Sequence, residues 1–196
     1  MDKIVGVLLA AGFSNRFGGD KLNVRLPNGE LVAVQSCKHL LAGVDHVLAV
    51  LRPGSEKLED ELSALGVAIH HCDKAYLGMG ASLSCAIQQT PEADGWVIAL
   101  ADMPWVKPAT ISRISQALRT GAQIAAPHYQ GRRGHPVGFC QRFRDELMAL
   151  TGDMGAKSII QKYRQDMVAI ETDDAGILLD LDVPEDMITP SALSKL

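Results

Sequence analysis

Long apolar runs are missing from this chain of 196 residues: nowhere do about 18 apolar residues follow one another, so no membrane-spanning helix is expected. Closely paired cysteines are missing too. Cys37, Cys72, Cys85 and Cys140 stand far apart, without the short spacings of a zinc site or a thioredoxin motif, and they are read as reduced thiols in or near the core. There is no excess of basic charge. A net charge of −4 argues against a nucleic-acid partner and leaves a small molecule as the better ligand. Internal repeats, low-complexity tracts and linkers are absent, and a chain of this length buries enough surface to fold as one domain without metal or disulfide staples. The amino-terminal apolar run is too short for a signal peptide, so a cytoplasmic protein is expected.

Two familiar phosphate loops are also absent. A P-loop needs Gly, four residues, then Gly-Lys-Ser/Thr, whereas Gly12 and Gly18 are separated by five residues and Lys21 is flanked by Asp20 and Leu22. The dinucleotide fingerprint needs tightly spaced glycines, and after Gly12 the next is Gly18.

What is present is an apolar strand, Ile4–Leu9, opening directly into Ala10, Ala11, Gly12, Phe13, Ser14, Asn15, Arg16, Phe17, Gly18, Gly19, Asp20 and Lys21. Small residues allow backbone N–H groups to approach a ligand, and Arg16 and Lys21 add fixed positive charge, which suits a polyphosphate. Further apolar runs at 47–51, 67–71, 96–100 and 124–127 alternate with helical periodicity at 55–65, 79–89 and 108–118. Ser55 and Gly66 punctuate the first of these helices, and Pro108 suits the first turn of the third. Continuous Val/Ile/Leu runs imply strands covered on both faces, hence an α/β fold with a mostly parallel central sheet between helical layers. After residue 127 the rhythm changes to a basic turn at 131–136, a strand at 137–140 and short helices at 142–150 and 155–163. The chain therefore divides into a nucleotide-binding half, about 1–127, and an acceptor-binding half, about 128–196.

Ligands of parallel α/β sheets bind at the carboxyl ends of the strands. Asp102 stands there, directly after the run that ends at Ala101, and a carboxylate beside a phosphate loop suits Mg²⁺, which commonly uses one or two protein carboxylates plus substrate phosphates. A helix cap is the alternative role for it. A further apolar run, read as a strand at 177–182, ends in a second acidic cluster, from which Asp182 is favoured as second metal ligand with Asp180 as the alternative. Gly78–Ser82 reads as a helix start, where Gly80 and Ser82 either hold base or ribose or form a plain turn. Gly134, His135 and Pro136 either line the pocket of a second substrate, with Arg132 and Arg133 attracting anions, or are structural.

The segments LLAAGFSNRFGGDK, ALADMPWVKPATI, GRRGHPVGF, GDMGAKSII and LLDLDVPEDM follow one another as in the molybdenum cofactor cytidylyltransferases, and the chain resembles that family over nearly its whole length. The resemblance implies a Rossmann-like, three-layer α/β/α nucleotidyltransferase fold and transfer of CMP from CTP to the terminal phosphate of molybdenum-bound molybdopterin, with release of pyrophosphate. It implies that Leu9, Ala10, Ala11, Gly12 and Ser14 meet the nucleotide, with Gly80 and Ser82 beside them. Arg16 and Lys21 would meet the phosphates, and Asp102 and Asp182 the Mg²⁺ or Mn²⁺. Gly134, His135, Pro136 and Gly155 would face the pterin, and a molybdenum hydroxylase apoenzyme would receive the product. Ala10-Ala11-Gly12 resembles the cytidylyl branch, where the guanylyl branch usually has Ala-Gly-Gly. The chain departs from the family pattern at Phe17, where Met is usual, at Asp20, where Pro commonly precedes the lysine, and at Val183, where Thr usually precedes the proline. A guanylyltransferase, a transferase acting on another phosphorylated acceptor, and a non-catalytic cofactor carrier are the alternative functions.

Overall fold

The computed structural model describes residues 3–12 and 21–181. Four apolar segments form parallel strands in the order β3 (Ala68–His71), β2 (His46–Leu51), β1 (Ile4–Leu9), β4 (Gly95–Leu100). Beyond β4 the sheet continues through β7 (Val137–Cys140), which runs antiparallel, to β5 (Ile124–Tyr129), which carries both the short β6 (Arg132–Arg133) and the parallel β8 (Met167–Glu171). The expected mostly parallel α/β architecture is what the chain adopts.

The period-2 alternation of each strand distributes its side chains to two cores. Leu8, Val47, Ala49, Leu51, Val97 and Ala99 face helices α1 (Val32–Leu41), α2 (Glu56–Ser63) and α4 (Pro108–Arg119) through Leu40, Leu62 and Ile114. Val5, Val7, Leu48, Val50, Trp96, Ile98 and Phe139 face α3 (Met79–Gln89), α5 (Arg144–Met148) and α6 (Lys157–Lys162) through Leu83, Ile87, Leu147 and Ile159. These are the three layers.

Several expectations are corrected. Helix α1 falls where the sequence reading assigns no element: its apolar residues recur with helical spacing, but Leu31 precedes it and no side chain caps it, so the usual start signal is absent. Strand β8 is likewise unanticipated, being short with three exposed residues. Among the described residues of the strand expected at 177–182, that is 177–181, no strand forms. A 3-10 turn occupies Ala175–Leu178, because the Asp174 carboxylate accepts the Gly176 N–H and starts a turn there. Cys72 and Cys85 are joined in a disulfide, with Cα atoms 6.1 Å apart, so the reading of four reduced thiols fails for this pair. It links the end of β3 to α3, a proximity that sequence spacing does not reveal.

Candidate active site

The sheet puts the carboxyl ends of β1, β2 and β4 side by side. Leu9 is in register with Val50 on one side and Leu100 on the other, so the residues that follow each strand share one rim. Ala10 N–H donates to the Val50 carbonyl and Ala101 N–H to the Leu9 carbonyl, which extends the ladder to the point where Gly12 and Asp102 leave it. Ala10 and Ala11 are buried, and among the described residues no atom lies within 4 Å of where a Cβ would stand on Gly12.

Lys21 reaches the same rim from the other end of the first loop, opening a short 3-10 turn, Lys21–Asn23. Its Nζ lies 2.6 Å from Asp102 Oδ2, and both side chains are largely shielded from solvent. Asp102 is fixed from two further sides: its carbonyl accepts the Leu181 N–H, and the preceding Ala101 carbonyl accepts the buried Ser36 hydroxyl. Ser14, Arg16 and Asp182 lie outside the described residues, as do Phe17, Asp20 and Val183. Asp180, the alternative metal ligand, is exposed, and its charge acts on His135.

The donor set at Asp102 fits a hard divalent cation of the kind that takes its remaining ligands from phosphate and water. Among the described residues no group of three or more His, Cys, Asp or Glu side chains converges, so no cage made wholly of protein ligands is present there. One carboxylate at a strand end beside a lysine suits Mg²⁺ or Mn²⁺ shared with a polyphosphate.

Arg52 belongs to this rim and was missed. It directly follows β2, and its guanidinium donates to the Gly12 carbonyl at 3.2 Å. The strand-end logic that singles out Asp102 points equally to Arg52, the first polar residue after the run at 47–51.

A cavity of about 420 Å³ opens beside the rim, floored by Leu9, Leu83, Ile98, Leu100, Val137 and Phe139. Arg133, His135, Asp153 and Lys157 supply its polar lining, and Met79 and Met154 its apolar edge. The antiparallel pairing of β4 with β7 explains how His135 comes here: Ile98 faces Val137, and the same register carried two residues further sets His135 level with Leu100. His135 N–H donates to the Ile177 carbonyl, and the His135–Pro136 peptide is cis. Burial, reinforced by the neighbouring Arg133 charge, pushes the His135 imidazole down to about 4, with Asp180 opposing, so the ring is neutral near pH 7. Gly134 and Pro136 are buried around it, and Pro136 also packs toward His39 and Met103.

The expected sites on α3 are drawn into packing. Gly78 has φ +110°, and Gly80 N–H donates to the Gly152 carbonyl at 2.7 Å. Ser82 is buried, its hydroxyl directed to the Gly78 carbonyl. The start of α3 thus buttresses the 151–156 turn, where Gly155 is buried against Met79. The structure brings Leu9, His135, Asp153, Met154, Ala156 and Lys157 to one cavity, whose lining does not include Gly155, and holds the Gly80 amide within the fold.

A central, mostly parallel sheet between two helical layers, with the Lys21–Asp102 pair at the carboxyl end of β4, puts the protein in the three-layer α/β class. More particularly, residues 6–168 match the model of the MobA-like NTP transferase domain, and the chain belongs to that family of nucleotidyltransferases. It is 30% identical over 93% of each chain to a purine catabolism protein, PucB, of Bacillus subtilis. It is 26% identical to nicotine blue oxidoreductase of Paenarthrobacter nicotinovorans, covering 94% of each chain, and 25% identical to molybdenum cofactor guanylyltransferase of Shewanella frigidimarina, covering 93% of each. Among solved structures it is similar to Rv0371c of Mycobacterium tuberculosis H37Rv, with TM-score 0.82, 27% identity, and coverage of 100% of this chain and 98% of that one. The same protein in complex with manganese aligns with TM-score 0.77, 25% identity, and coverage of 99% and 100%.

Proposed function

We propose that this protein transfers CMP from CTP to the terminal phosphate of molybdenum-bound molybdopterin, releasing pyrophosphate. The observation that carries this reading is the adjacency of two sites: the Gly12, Lys21 and Asp102 rim lies directly beside a cavity lined by His135 and Arg133, with Leu9 and Leu100 common to both. The sequence resemblance to the cytidylyltransferases, and a relative named for guanylyl transfer in molybdenum cofactor synthesis, support the pterin acceptor. Ala10-Ala11-Gly12 supports cytosine over guanine. The chain would work as one unit, residues up to about 127 holding nucleotide and the remainder holding the acceptor.

In this reading an acceptor phosphate oxygen forms a bond to the α-phosphorus of CTP as the bond from that phosphorus to the bridging oxygen of pyrophosphate breaks. A phosphate monoester is already ionised near neutrality, so no protein base is needed. Neutral His135 lines the acceptor pocket without taking a proton. Lys21 neutralises charge on the departing pyrophosphate, with Arg16 assigned the same role, and the backbone at Gly12 meets the nucleotide. Asp102, with Asp182, would hold Mg²⁺ or Mn²⁺; a structure of Rv0371c in complex with manganese supports use of a divalent ion. The ion's contribution when bound is charge neutralisation on the phosphates. A molybdenum hydroxylase apoenzyme is the proposed recipient, and the cytoplasm the proposed site of action; among the described residues no helix is long and apolar enough to cross a membrane.

The test is thermal stabilisation by CTP, GTP, ATP and UTP with Mg²⁺, followed by pyrophosphate release on addition of molybdenum-loaded molybdopterin. A ligand that binds only the folded state raises the melting temperature according to its affinity. CTP is expected to give the largest shift and to release pyrophosphate with that acceptor. A preference for another nucleotide overturns the cytidylyl assignment, and tight pterin binding without pyrophosphate release favours a carrier.

A further inference from the structure

The disulfide joins Cys72, directly after β3, to Cys85 in α3, 13 residues further on, and the span between them contributes Met79 and Leu83 to the 420 Å³ cavity. The first part of that span is thinly packed. Tyr76, Leu77 and Met79 are exposed, and the 3-10 turn at Ala75–Leu77 is kept by short-range bonds, from Leu77 N–H to the Lys74 carbonyl and from Gly78 N–H to the Ala75 carbonyl. Segments with few buried apolar contacts open at low free energy. The rest of α3 is anchored by Leu83, Ala86 and Ile87 in the core and by the Ser84 hydroxyl, which donates to the Met148 carbonyl. Cys72 is buried and fixed beside β2, since its N–H donates to the Leu51 carbonyl at 2.9 Å. The disulfide therefore ties a weak segment between two firm ends.

That segment supports a second wall. Gly80 N–H donates to the Gly152 carbonyl, and a Cβ on Gly78 would stand 2.6 Å from the Gly152 carbonyl carbon, so backbone packs on backbone. Asp153, next in the chain, lines the cavity, as does Met79.

We propose that Cys72–Cys85 is a reversible thiol–disulfide site whose redox state sets how firmly the start of α3 holds this edge of the cavity. The reducing agent is a dithiol. Its thiolate attacks Sγ of Cys85, the half-buried member of the pair, forming a mixed disulfide as the bond to Cys72 Sγ breaks and Cys72 takes up a proton. The second thiol of the agent then displaces Cys85 as a thiol, so the agent leaves as a disulfide and two electrons and two protons pass to the protein. Cys72 Sγ lies 3.7 Å from the Ala81 carbonyl, which accepts the hydrogen of the new thiol. Because each cysteine is anchored by its own element, the two sulfurs stay near each other and the bond re-forms under oxidation. The cytoplasm, the site of action proposed above, is reducing, and disulfides there are as a rule transient, catalytic or redox-sensing. The inference concerns the cavity wall and holds for whichever ligand the cavity takes.

The test is residue-resolved amide hydrogen exchange at several low urea concentrations, on wild type as oxidised, after reduction with dithiothreitol, and after reoxidation with glutathione disulfide. Gly80 is expected to exchange about tenfold or more faster after reduction, with little dependence on urea, which marks a local opening. Ala101, whose N–H donates to the Leu9 carbonyl, should keep the steep urea dependence of global unfolding in both states. Reoxidation should restore the slow Gly80 rate, and Cys85→Ala should show the fast rate with or without reductant. Gly80 exchange unchanged by reduction, or rising only in step with Ala101, overturns the proposal, as does failure of glutathione disulfide to restore the bond. A reductant effect that persists in Cys85→Ala overturns it too. The three wild-type states decide the matter even where the variant does not fold.

Discussion

Lys21 Nζ and Asp102 Oδ2 are 2.6 Å apart, an ion pair between the end of the first loop and the end of β4. The residues proposed to meet phosphate and metal therefore pair directly with each other. Nucleotide binding would exchange this pair for two others, lysine with phosphate and carboxylate with cation, so that neither charge is left unmatched.

Lys21→Ala is expected to lower turnover by roughly 10² or more, the scale on which losing one preorganised electrostatic donor acts. Pyrophosphate release measured at saturating CTP and acceptor reads this directly. Near wild-type turnover would sink the assignment of Lys21 to the phosphates.

Gly80, in the first turn of α3, and Gly12, in the first loop, should behave oppositely on substitution. A Cβ at Gly80 would lie 2.7 Å from the Thr151 carbonyl oxygen, which is backbone and yields poorly. Gly80→Ala should destabilise the fold by about 1–3 kcal/mol, lowering the melting temperature by several degrees. Among the described residues nothing lies within 4 Å of a Cβ at Gly12. Gly12→Ala should leave the melting temperature nearly unchanged and weaken stabilisation by CTP, because the added methyl narrows the approach of ligand to backbone. A Gly12→Ala protein as strongly stabilised by CTP as wild type would remove Gly12 from the nucleotide site.

Thiol labelling should distinguish the four cysteines. Cys140 is partly exposed and should react in the native protein; Cys37 is fully buried, and desolvation pushes its thiol up to about 12, so it should label only on unfolding. Cys72 and Cys85 should label only after reduction. Restraint of a loop of this length is worth about 3 kcal/mol on a chain-entropy basis, so reductant should lower the melting temperature by roughly 6–12 °C. Four labelled thiols without reductant would restore the reading of four free thiols.

Acid should destabilise the fold partly through His135. The imidazole titrates near 6.5 in the unfolded chain and is pushed down to about 4 in the fold, so between these values the unfolded state binds a proton that the folded state does not. Stability contributed by the neutral ring is present above pH 6.5 and is lost as the pH falls toward 4. His39 and His70 are shifted down too, chiefly by burial, so the comparison is with His135→Asn rather than with a flat line. Denaturant unfolding at several pH values should give a shallower decline for the variant within this window; parallel curves would show that His135 does not bury a neutral ring.

Much of this site is legible in the sequence because it sits at strand ends. An apolar run that stops at a charge announces both the strand and the residue beyond it, and Asp102 and the first loop are read this way. Arg52 obeys the same rule after β2 and was passed over. The run at 177–181 obeys it misleadingly: its apolar residues suit a strand, but the Asp174 side chain starts a turn and Ile177 is consumed in the core behind His135. Helix α1 carries its periodicity without a capping residue, so a reading that relies on punctuation passes over it.

By itself the sequence determines the layers, since continuous apolar runs can be buried only between helices, and it determines the small-residue loop with its cations, since composition sets which backbone can approach a ligand. Tertiary structure alone decides which distant residues meet. The lysine reaches the Asp102 carboxylate only because β1 and β4 are neighbours, and Arg133 and His135 reach the cavity only because β7 runs back antiparallel beside β4. Cys72 pairs with Cys85 only because α3 packs across the end of β3. Strand order is a property of the whole packed sheet, and no local pattern of residues encodes it.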